Sequence, residues 1–575
     1  AEWPTYAGFF LRNGDWPGLE LMRRQAERRM PGGLPASELR AFFGETGPLT
    51  GAGALRYAQA LTGEEAEEVR VRAWAELPMR PASRKTFLDR FGTELQAHHA
   101  DRMDTLLWDG ELEAAEELLP MVSEEERALA KARIALQRRA DGVDALIAAV
   151  PESLANHPGL AHDRFDWRMR KDRYDSSETL LLERSATAAL LGRPDRWASR
   201  RRLLARRAMR QDRFQTAYRL ASAHHLSEGS NFSDLEWLSG YLALEHLDRS
   251  AKAIEHFKTF RAAVTTPISL GRAGYWLGRA YEATGNAAAA REAYAEAARY
   301  QTSFYGQLAA ERISAAPDPS LAGGEVPDWR QRGLASIGPV RAALALQAAG
   351  DEALARRFLL HAQETMGPMD GAALAGLALE MGQTPAAVRI AKRVARQGMV
   401  YPTIYYPVVS LGPDAADVPQ ELALAIARQE SELNAVARSP AGALGLMQLM
   451  PATAQLVARQ LELPYSRARL TADPNYNVAL GTQYLSDMLA RYDGSVILAA
   501  AAYNAGPHRV DAWLREYGDP RRAGTDPVGW IESIPFRETR NYVMRVAESV
   551  HVYRTRIAGK AGAIGLSQMI GLTPS

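Results

Sequence analysis

The sequence predicts a predominantly all-α protein whose larger part is an α-superhelical solenoid of stacked helical hairpins. Three observations carry this. From residue 1 to about 320, Ala, Leu, Arg and Glu dominate, and alternating β-branched runs are missing. The breaks recur as Gly or Asn beside Asp or Pro: Asn13-Gly14-Asp15, Asp109-Gly110, Leu191-Gly192-Arg193-Pro194 and Gly285-Asn286. Such clusters turn one helix into the next. Finally, Leu277-Gly278-Arg279-Ala280-Tyr281, followed by Ala290, Tyr294 and Ala297, fits tetratricopeptide spacing. There, small residues let two helices approach and large ones fill the gaps. A weaker copy lies around Trp237 to Phe257. Phe87 to Leu119 reads as another pair, with Trp108-Asp109-Gly110 at its turn. Irregular repeats of this kind stack into a solenoid rather than a plain bundle.

The helical pattern fails from Ala315 to Trp329, where three prolines and two adjacent glycines mark a linker. A second helical block follows to about Gly398: Val340 to Gly350, Asp351 to Met366, then shorter helices to Arg396. Tyr401 to Pro407 is an aromatic, proline-bounded lead-in to a last domain. In that domain Pro451 to Leu461 reads as a helix with Leu456, Val457 and Leu461 inward. Asn475 to Tyr492 turns Leu480, Tyr484, Leu485 and Met488 inward. Ser495 to Asn504 is nearly all apolar and therefore central. The last long helix, Phe536 to Ile557, carries Tyr542, Val546, Val550 and Tyr553 on one side.

Composition excludes several function classes. The 575 residues are enough for two to four domains. Net charge is +1, from 69 basic and 68 acidic residues, which argues against nucleic-acid binding. With 47% hydrophobic and 24% charged residues the chain reads as soluble and globular. No uncharged apolar run reaches membrane-spanning length. Without cysteine there are no disulfides, no thiolate catalysis and no Cys-based zinc site. The histidines are scattered, His98-His99 and His224-His225 being adjacent pairs, and no HExxH occurs; neither a metal nor a cofactor is expected. The opening AEWPTYAGFF lacks a basic n-region and an h-region, as in a cytosolic chain or one whose signal peptide has been removed; the initial Ala and absent Met make the second the expectation. Arg200, Arg201, Arg202, Arg206, Arg207, Arg210 and Arg213 crowd one helix. It could meet an anionic polymer, but a solvated face paired with neighbouring acids is the expectation.

The last domain opens on the stretch that bears the chemistry, Pro419 to Pro451. Leu422 and Ile426 define one face of its helix, and Glu430 falls on that face. Glu421 and Glu432 point roughly opposite, toward water. One carboxylate is thus aimed inward, near its helix end and ahead of a Gly-rich segment. A buried carboxylic acid holds its proton tightly, as a general acid must. A chance glutamate on a short helix, or a core carboxylate satisfied by an arginine, would look the same. Gln448 stands as an amide in an apolar run, and Tyr503 and Asn504 stand at a buried helix end. Glu532 and Glu538 lie beside aromatics. Taken singly, each has a structural explanation as a backbone partner, a helix cap or an arginine partner.

In this order, however, four blocks resemble one family. ARQESELN (Ala427 to Asn434), SPAGALGLMQLMPATA (Ser439 to Ala454), AAYNAGPHRV (Ala501 to Val510) and ESIPFRETRNYV (Glu532 to Val543) look like the motifs of the soluble lytic transglycosylases. The α-repeats, the Tyr294 to Arg312 segment with Phe304-Tyr305-Gly306, and the linker block resemble the large periplasmic members. The resemblance implies a ring or horseshoe of α-hairpins over residues 1–320 and a helical linker domain over 321–399. It implies a goose-type-lysozyme-like catalytic domain with a small β element over 400–557; the tail over 558–575 runs past the last family motif and departs from the resemblance. It implies a periplasmic enzyme on peptidoglycan glycan strands, cutting between N-acetylmuramic acid and N-acetylglucosamine without water to leave a 1,6-anhydro end. Glu430 matches the family's catalytic acid. Gln448, Tyr503 and Glu532 match residues lining its groove, and Ser439, Met447 and Asn504 lie in its motifs and are expected to bind substrate. Other cell-wall enzymes are possible partners of the solenoid.

Hydrolysis of a glycosidic bond normally uses two carboxylates at a set separation. Here one inward acid has a clear claim, and a transglycosylase can use it twice, as acid and then as base toward the muramyl C6 hydroxyl. Two rivals stand beside this reading. One is a hydrolytic muramidase with Glu532 or Glu538 as second carboxylate. The other is an inactive scaffold whose last domain only grips glycan. The tail echoes the Gly442 to Leu449 pattern at Gly562 to Met569; a disordered end, a partial duplication without a paired acid and a segment docking on the solenoid are the alternatives, and disorder is the expectation because termini fray.

Overall fold

In the computed structural model, residues 2–572 are described except Asp15, Pro78 and 413–415, with the side chains of Leu11 and Glu45 also outside the description. Asp15 of the first expected turn and residues 573–575 of the tail therefore lie outside it. The secondary structure is helical throughout; among the described residues the β element reduces to two isolated bridges, Arg438 with Leu444 and Leu444 with Leu449. The chain divides into two compact units, one of residues 1–204 with 223–227 and one of residues 205–222 with 228–575.

The first unit consists of short helices in hairpins. Its cores gather around Trp74, Phe87 and Leu106, around Phe43 and Tyr57, and around Leu136 and Leu160. The helix Glu124–Arg138 starts on a capping box in which Ser123 and Glu126 satisfy each other's backbone N–H groups. Arg133 from that helix is buried, donating to Asp163 at 2.7 Å and to Asp104 at 2.6 Å.

In the second unit the repeat spacing has a direct steric cause. The helices Pro267–Ala283 and Ala287–Ala297 pack side by side. A Cβ at Gly278 would stand 2.4 Å from the Tyr294 ring, and one at Gly274 would stand 2.7 Å from the Ala293 carbonyl. Asn286 caps the second helix, accepting from the Ala289 N–H at 3.1 Å. The upstream copy repeats the device, Gly240 lying against the Phe257 ring. The linker block forms two further hairpins, Gly338–Ala348 with Glu352–Ala362 and Pro368–Glu380 with Thr384–Arg396.

The last domain follows the expected helices closely: Gln420–Ser431, Pro451–Gln460, Pro474–Arg491, Val496–Ala505, Pro507–Tyr517, Pro527–Ser533 and Arg537–Ala558. Val496–Ala505 is central, with Ile497 through Ala502 all buried. The Gln420–Ser431 and Val496–Ala505 helices both pack on the long Arg537–Ala558 helix.

Three expectations are corrected. Leu456 is 64% exposed, because Ala454, Val457 and Ala458 form the inner face of its helix. The Arg200–Arg213 segment is not a solvated face. Arg201 is buried and donates to Ser185 Oγ at 2.6 Å, and Arg206 is buried on Glu532. The described part of the tail is folded onto the 1–320 region rather than disordered: Leu566–Ile570 is a helix with Leu566 and Ile570 buried, and Ser567 donates through Oγ and N–H to Glu311 at 2.6 and 2.9 Å.

Candidate active site

Glu430 sits in the last turn of the Gln420–Ser431 helix, on the face that Leu422 and Ile426 bury. The helix stops there because Glu432 and Leu433 take left-handed backbone angles, φ 55° and 63°. Glu421 and Glu432 are not simply solvated. Glu421 accepts from Arg554 at 3.2 Å, and Glu432 accepts from Arg389 at 2.8 Å and Lys392 at 3.2 Å. Only Glu430 of the three has no cation partner among the described contacts. Its Oε1 accepts the Tyr542 hydroxyl at 2.7 Å. Burial pushes its carboxyl up to about 7; the Tyr542 hydroxyl works against that, and the negative charge of Glu538 adds to it. Burial and the Glu430 charge together hold both the Tyr542 and Tyr503 phenols in their protonated form, far above the usual range.

The Gly-rich segment after Glu430 is folded as a tight loop by one buried amide that sequence reasoning missed. Asn477, on the Pro474–Arg491 helix, accepts from Met447 N–H at 2.8 Å and donates to the Leu444 and Leu470 carbonyls at 3.0 and 3.1 Å. Gly445 has φ 80° and lies so close to Asn477 that a Cβ would stand 2.3 Å from its amide nitrogen. Ser431 Oγ donates to the Leu446 carbonyl at 2.6 Å, and Tyr503 OH donates to the Met447 carbonyl at 2.9 Å. The loop is thus pinned from three helices, and it forms one wall of a cavity of about 520 Å³ beside Glu430.

That cavity collects residues from three sequence regions of the second unit. Glu430, Ser439 and Gln448 line it from the last domain, Val388, Arg389 and Lys392 from the linker block, and Ile268 from the repeat helices. Of the residues singled out in the sequence, Ser439 and Gln448 therefore share a cavity with Glu430. Ser439 Oγ accepts from Ala443 N–H at 2.9 Å, and Gln448 donates to the Gly445 and Ala437 carbonyls at 2.7 and 3.2 Å.

The others are placed differently. Met447 is fully buried, its sulfur against Gly481, so its side chain is core. Tyr503 is half-buried near Glu430, with its hydroxyl committed to the loop. Asn504 accepts the Thr539 hydroxyl at 2.7 Å, tying the central helix to the long helix. Glu532 does not reach the cavity. It is 0% exposed and accepts from Tyr305 OH at 2.8 Å, from Arg206 at 3.1 Å and from Arg272. Burial alone would raise its carboxyl, but Arg272, Arg206 and Arg540 outweigh that and hold it down to about 2. The physical reason for its displacement from the groove is this arginine cluster, two of whose members, Arg206 and Arg272, no short-range pattern connects to it.

Two further carboxylates, Glu432 and Glu548, line the cavity. Glu432 is held by its two cations. Glu548 is buried, accepts the Phe304 N–H at 2.7 Å and pairs with Arg545 at 3.0 Å; burial pushes it up to about 7. Neither is free to hold a water molecule opposite Glu430.

The family description Transglycosylase SLT domain matches residues 413–523, the segment that holds Glu430 and the pinned loop. The soluble lytic murein transglycosylase of Escherichia coli (strain K12) is 41% identical over 156 residues, which cover 27% of this chain and 23% of that protein. Residues 413–523 are thus similar in sequence to the transglycosylase SLT domain. The match to this curated relative spans about a quarter of its length. In solved structures the likeness runs through the whole chain. The lytic transglycosylase Slt of Pseudomonas aeruginosa, in an inactive variant, superposes with a TM-score of 0.72 at 24% identity, covering 98% of this chain and 90% of that one. The 70-kDa soluble lytic transglycosylase of Escherichia coli gives 0.64 at 22% identity, covering 100% and 90%. At these identities the likeness shows a shared fold.

Proposed function

We propose that the protein is a peptidoglycan lytic transglycosylase that cleaves the β-1,4 bond between N-acetylmuramic acid and N-acetylglucosamine and closes a 1,6-anhydro ring on the muramyl product. One observation carries this beyond the family relationship: Glu430 is the cavity's single carboxyl without a cation partner among the described contacts, and its proton affinity is poised near neutrality. In the first step Glu430 donates its proton to the glycosidic oxygen, and the bond from that oxygen to the muramyl C1 breaks. In the second, the Glu430 carboxylate takes the proton of the C6 hydroxyl while O6 bonds to C1. Glu430 ends as it began, protonated, and no water enters. The nucleophile belongs to the same sugar, so its effective concentration is high. The Tyr542 hydroxyl supports the carboxylate between the two steps. Ser439 and Gln448 are proposed to contact the glycan, with Tyr503 and Asn504 shaping the wall behind them.

The pairing of Glu532 with arginines supports this reading over a hydrolytic muramidase, since that carboxylate does not line the cavity and its oxygens are committed to Tyr305, Arg206 and Arg272. Glu538, the other candidate, is exposed and does not line the cavity. The same reading places the protein in the periplasm, with glycan strands as its partner. It divides the chain into a solenoid (1–320), a linker domain (321–399), a catalytic domain (400–557) and a tail (558–575). The test is mass spectrometry of sacculi digested by the parent protein and by Glu430→Gln. The expected products are anhydro-muropeptides from the parent and none from the variant. Reducing ends from the parent would establish hydrolysis instead, and lysis by Glu430→Gln would remove Glu430 from its role.

A further inference from the structure

The helix Phe304–Arg312 begins with the Phe304-Tyr305-Gly306 segment, which the chemistry above leaves without a task. It makes four successive grips on the C-terminal part of the chain. The Phe304 N–H donates to Glu548 Oε2 at 2.7 Å. The Tyr305 hydroxyl donates to Glu532 Oε1 at 2.8 Å. Gln307 Nε2 donates to the Glu548 carbonyl at 2.9 Å, and Glu311 accepts from Ser567. Arg206 strengthens the second grip from a neighbouring helix, donating to the Glu532 carboxylate at 3.1 Å and to its carbonyl at 2.8 Å. Arg272 adds a further ion pair.

These grips bracket Tyr542. Glu532 precedes the long helix, and Glu548 lies past Tyr542 along it. Between them Arg540, itself buried, donates to the Ile534 carbonyl at 2.6 Å and ties the first turn of the long helix to the end of the short Pro527–Ser533 helix. The position of that short helix therefore sets the position of the turn that bears Tyr542. We infer that Tyr305 and Glu532 are positioning residues for the reaction: through the long helix they hold the Tyr542 hydroxyl on Glu430. The inference rests on the proposed role of Glu430. A phenol that donates to a carboxylate favours the charged form, so Tyr542 offsets part of what burial does to Glu430. If the grip on Glu532 loosens, the hydroxyl drifts from Glu430. The carboxyl then holds its proton more tightly and yields it less readily to the glycosidic oxygen in the first step.

The experiment is the pH dependence of kcat and KM on a soluble glycan for the parent, Tyr542→Phe, Tyr305→Phe and the double variant. Tyr542→Phe should lift the alkaline limb by about one pH unit, the size expected for one hydrogen bond to a charged group. Tyr305→Phe should lift it by about half a unit, lower kcat and leave KM unchanged within about twofold. The double variant should shift no further than Tyr542→Phe alone, because both changes act on one hydrogen bond. Arg272→Lys serves as a second probe, expected to shift in the same direction as Tyr305→Phe. A Tyr305→Phe limb coincident with the parent's, or shifts that simply add in the double variant, would overturn the inference. An active Glu430→Gln protein would instead overturn the functional reading on which it stands, so the two failures are distinct.

Discussion

At the scale of residues, Glu430 was legible in the sequence because helical spacing alone puts it on the Leu422–Ile426 face. Its phenol partner was not. Tyr542 shows in the sequence as one aromatic on a buried stripe, and nothing local says that its hydroxyl ends 2.7 Å from a carboxylate in a segment far upstream. Motif membership also overstated contact with the groove: Met447 is core and Asn504 is a helix tie. The protonation of Glu430 predicts a stability effect with a definite sign. Its folded-state pKa, about 7, lies above the ordinary 4.5. The protonated form is therefore favoured by folding, and the stability it brings is full below pH 4.5 and lost as pH rises through 7. Glu430→Gln keeps the neutral shape at every pH. It should match the parent in thermal stability at pH 4 and exceed it at pH 8 by on the order of 3 kcal/mol, as measured by calorimetry at the two pH values. Equal stability at pH 8 would mean that the carboxyl is not strained by its burial. The same protonation sets the rate: the first step needs the acid, so kcat/KM should fall as pH rises past about 7.

At the scale of elements, the helix map was readable because each hairpin encodes its own turn and its own contact face. The weak point was any face set by another element, as Leu456 shows: a leucine in helical register stays exposed when smaller neighbours form the side that packs. The glycine–aromatic contacts of the repeats make the local logic testable. Gly278 faces the Tyr294 ring, and Tyr294 in turn donates to Glu282 at 2.8 Å. Replacing a mid-helix glycine by alanine gains about 1 kcal/mol of helix propensity. At Gly278 the added methyl would fall 2.4 Å from the ring, and relieving such a clash typically costs about 1–3 kcal/mol. Gly278→Ala should therefore be neutral to destabilising. Gly92→Ala, in a helix where a Cβ meets nothing within 4 Å, should stabilise. Thermal unfolding of the two variants checks the pair. Stabilisation at Gly278 would show that the close approach of the repeat helices is not what the glycine serves.

At the scale of the whole molecule, what the sequence concealed was the use of charge. A basic run at 200–213 and an acid at 532 are each unremarkable, and a solvated face was the natural expectation for the first. In the fold, Arg206 and Arg272 of the repeat helices converge with Arg540 on Glu532, so one buried carboxylate holds several guanidinia. Such a cluster adds little net stability when intact, since desolvation offsets the attraction, yet removing one member leaves buried charge uncompensated at about 3–5 kcal/mol. Because its folded-state pKa is near 2 against an ordinary 4.5, Glu532 contributes stability that is full above pH 4.5 and lost as pH falls toward 2. Glu532→Gln should therefore unfold at lower temperature at pH 7, and the gap from the parent should narrow as the pH is lowered from 4.5 to 2. Calorimetry across that range, with Glu421→Gln as a control for a partly exposed ion pair, separates the cluster from general acid denaturation. A gap that stays constant down to pH 2 would mean that the carboxylate's charge is not what holds the repeat helices to the long helix. The loss at pH 7 would then have to come from the shape of the buried side chain.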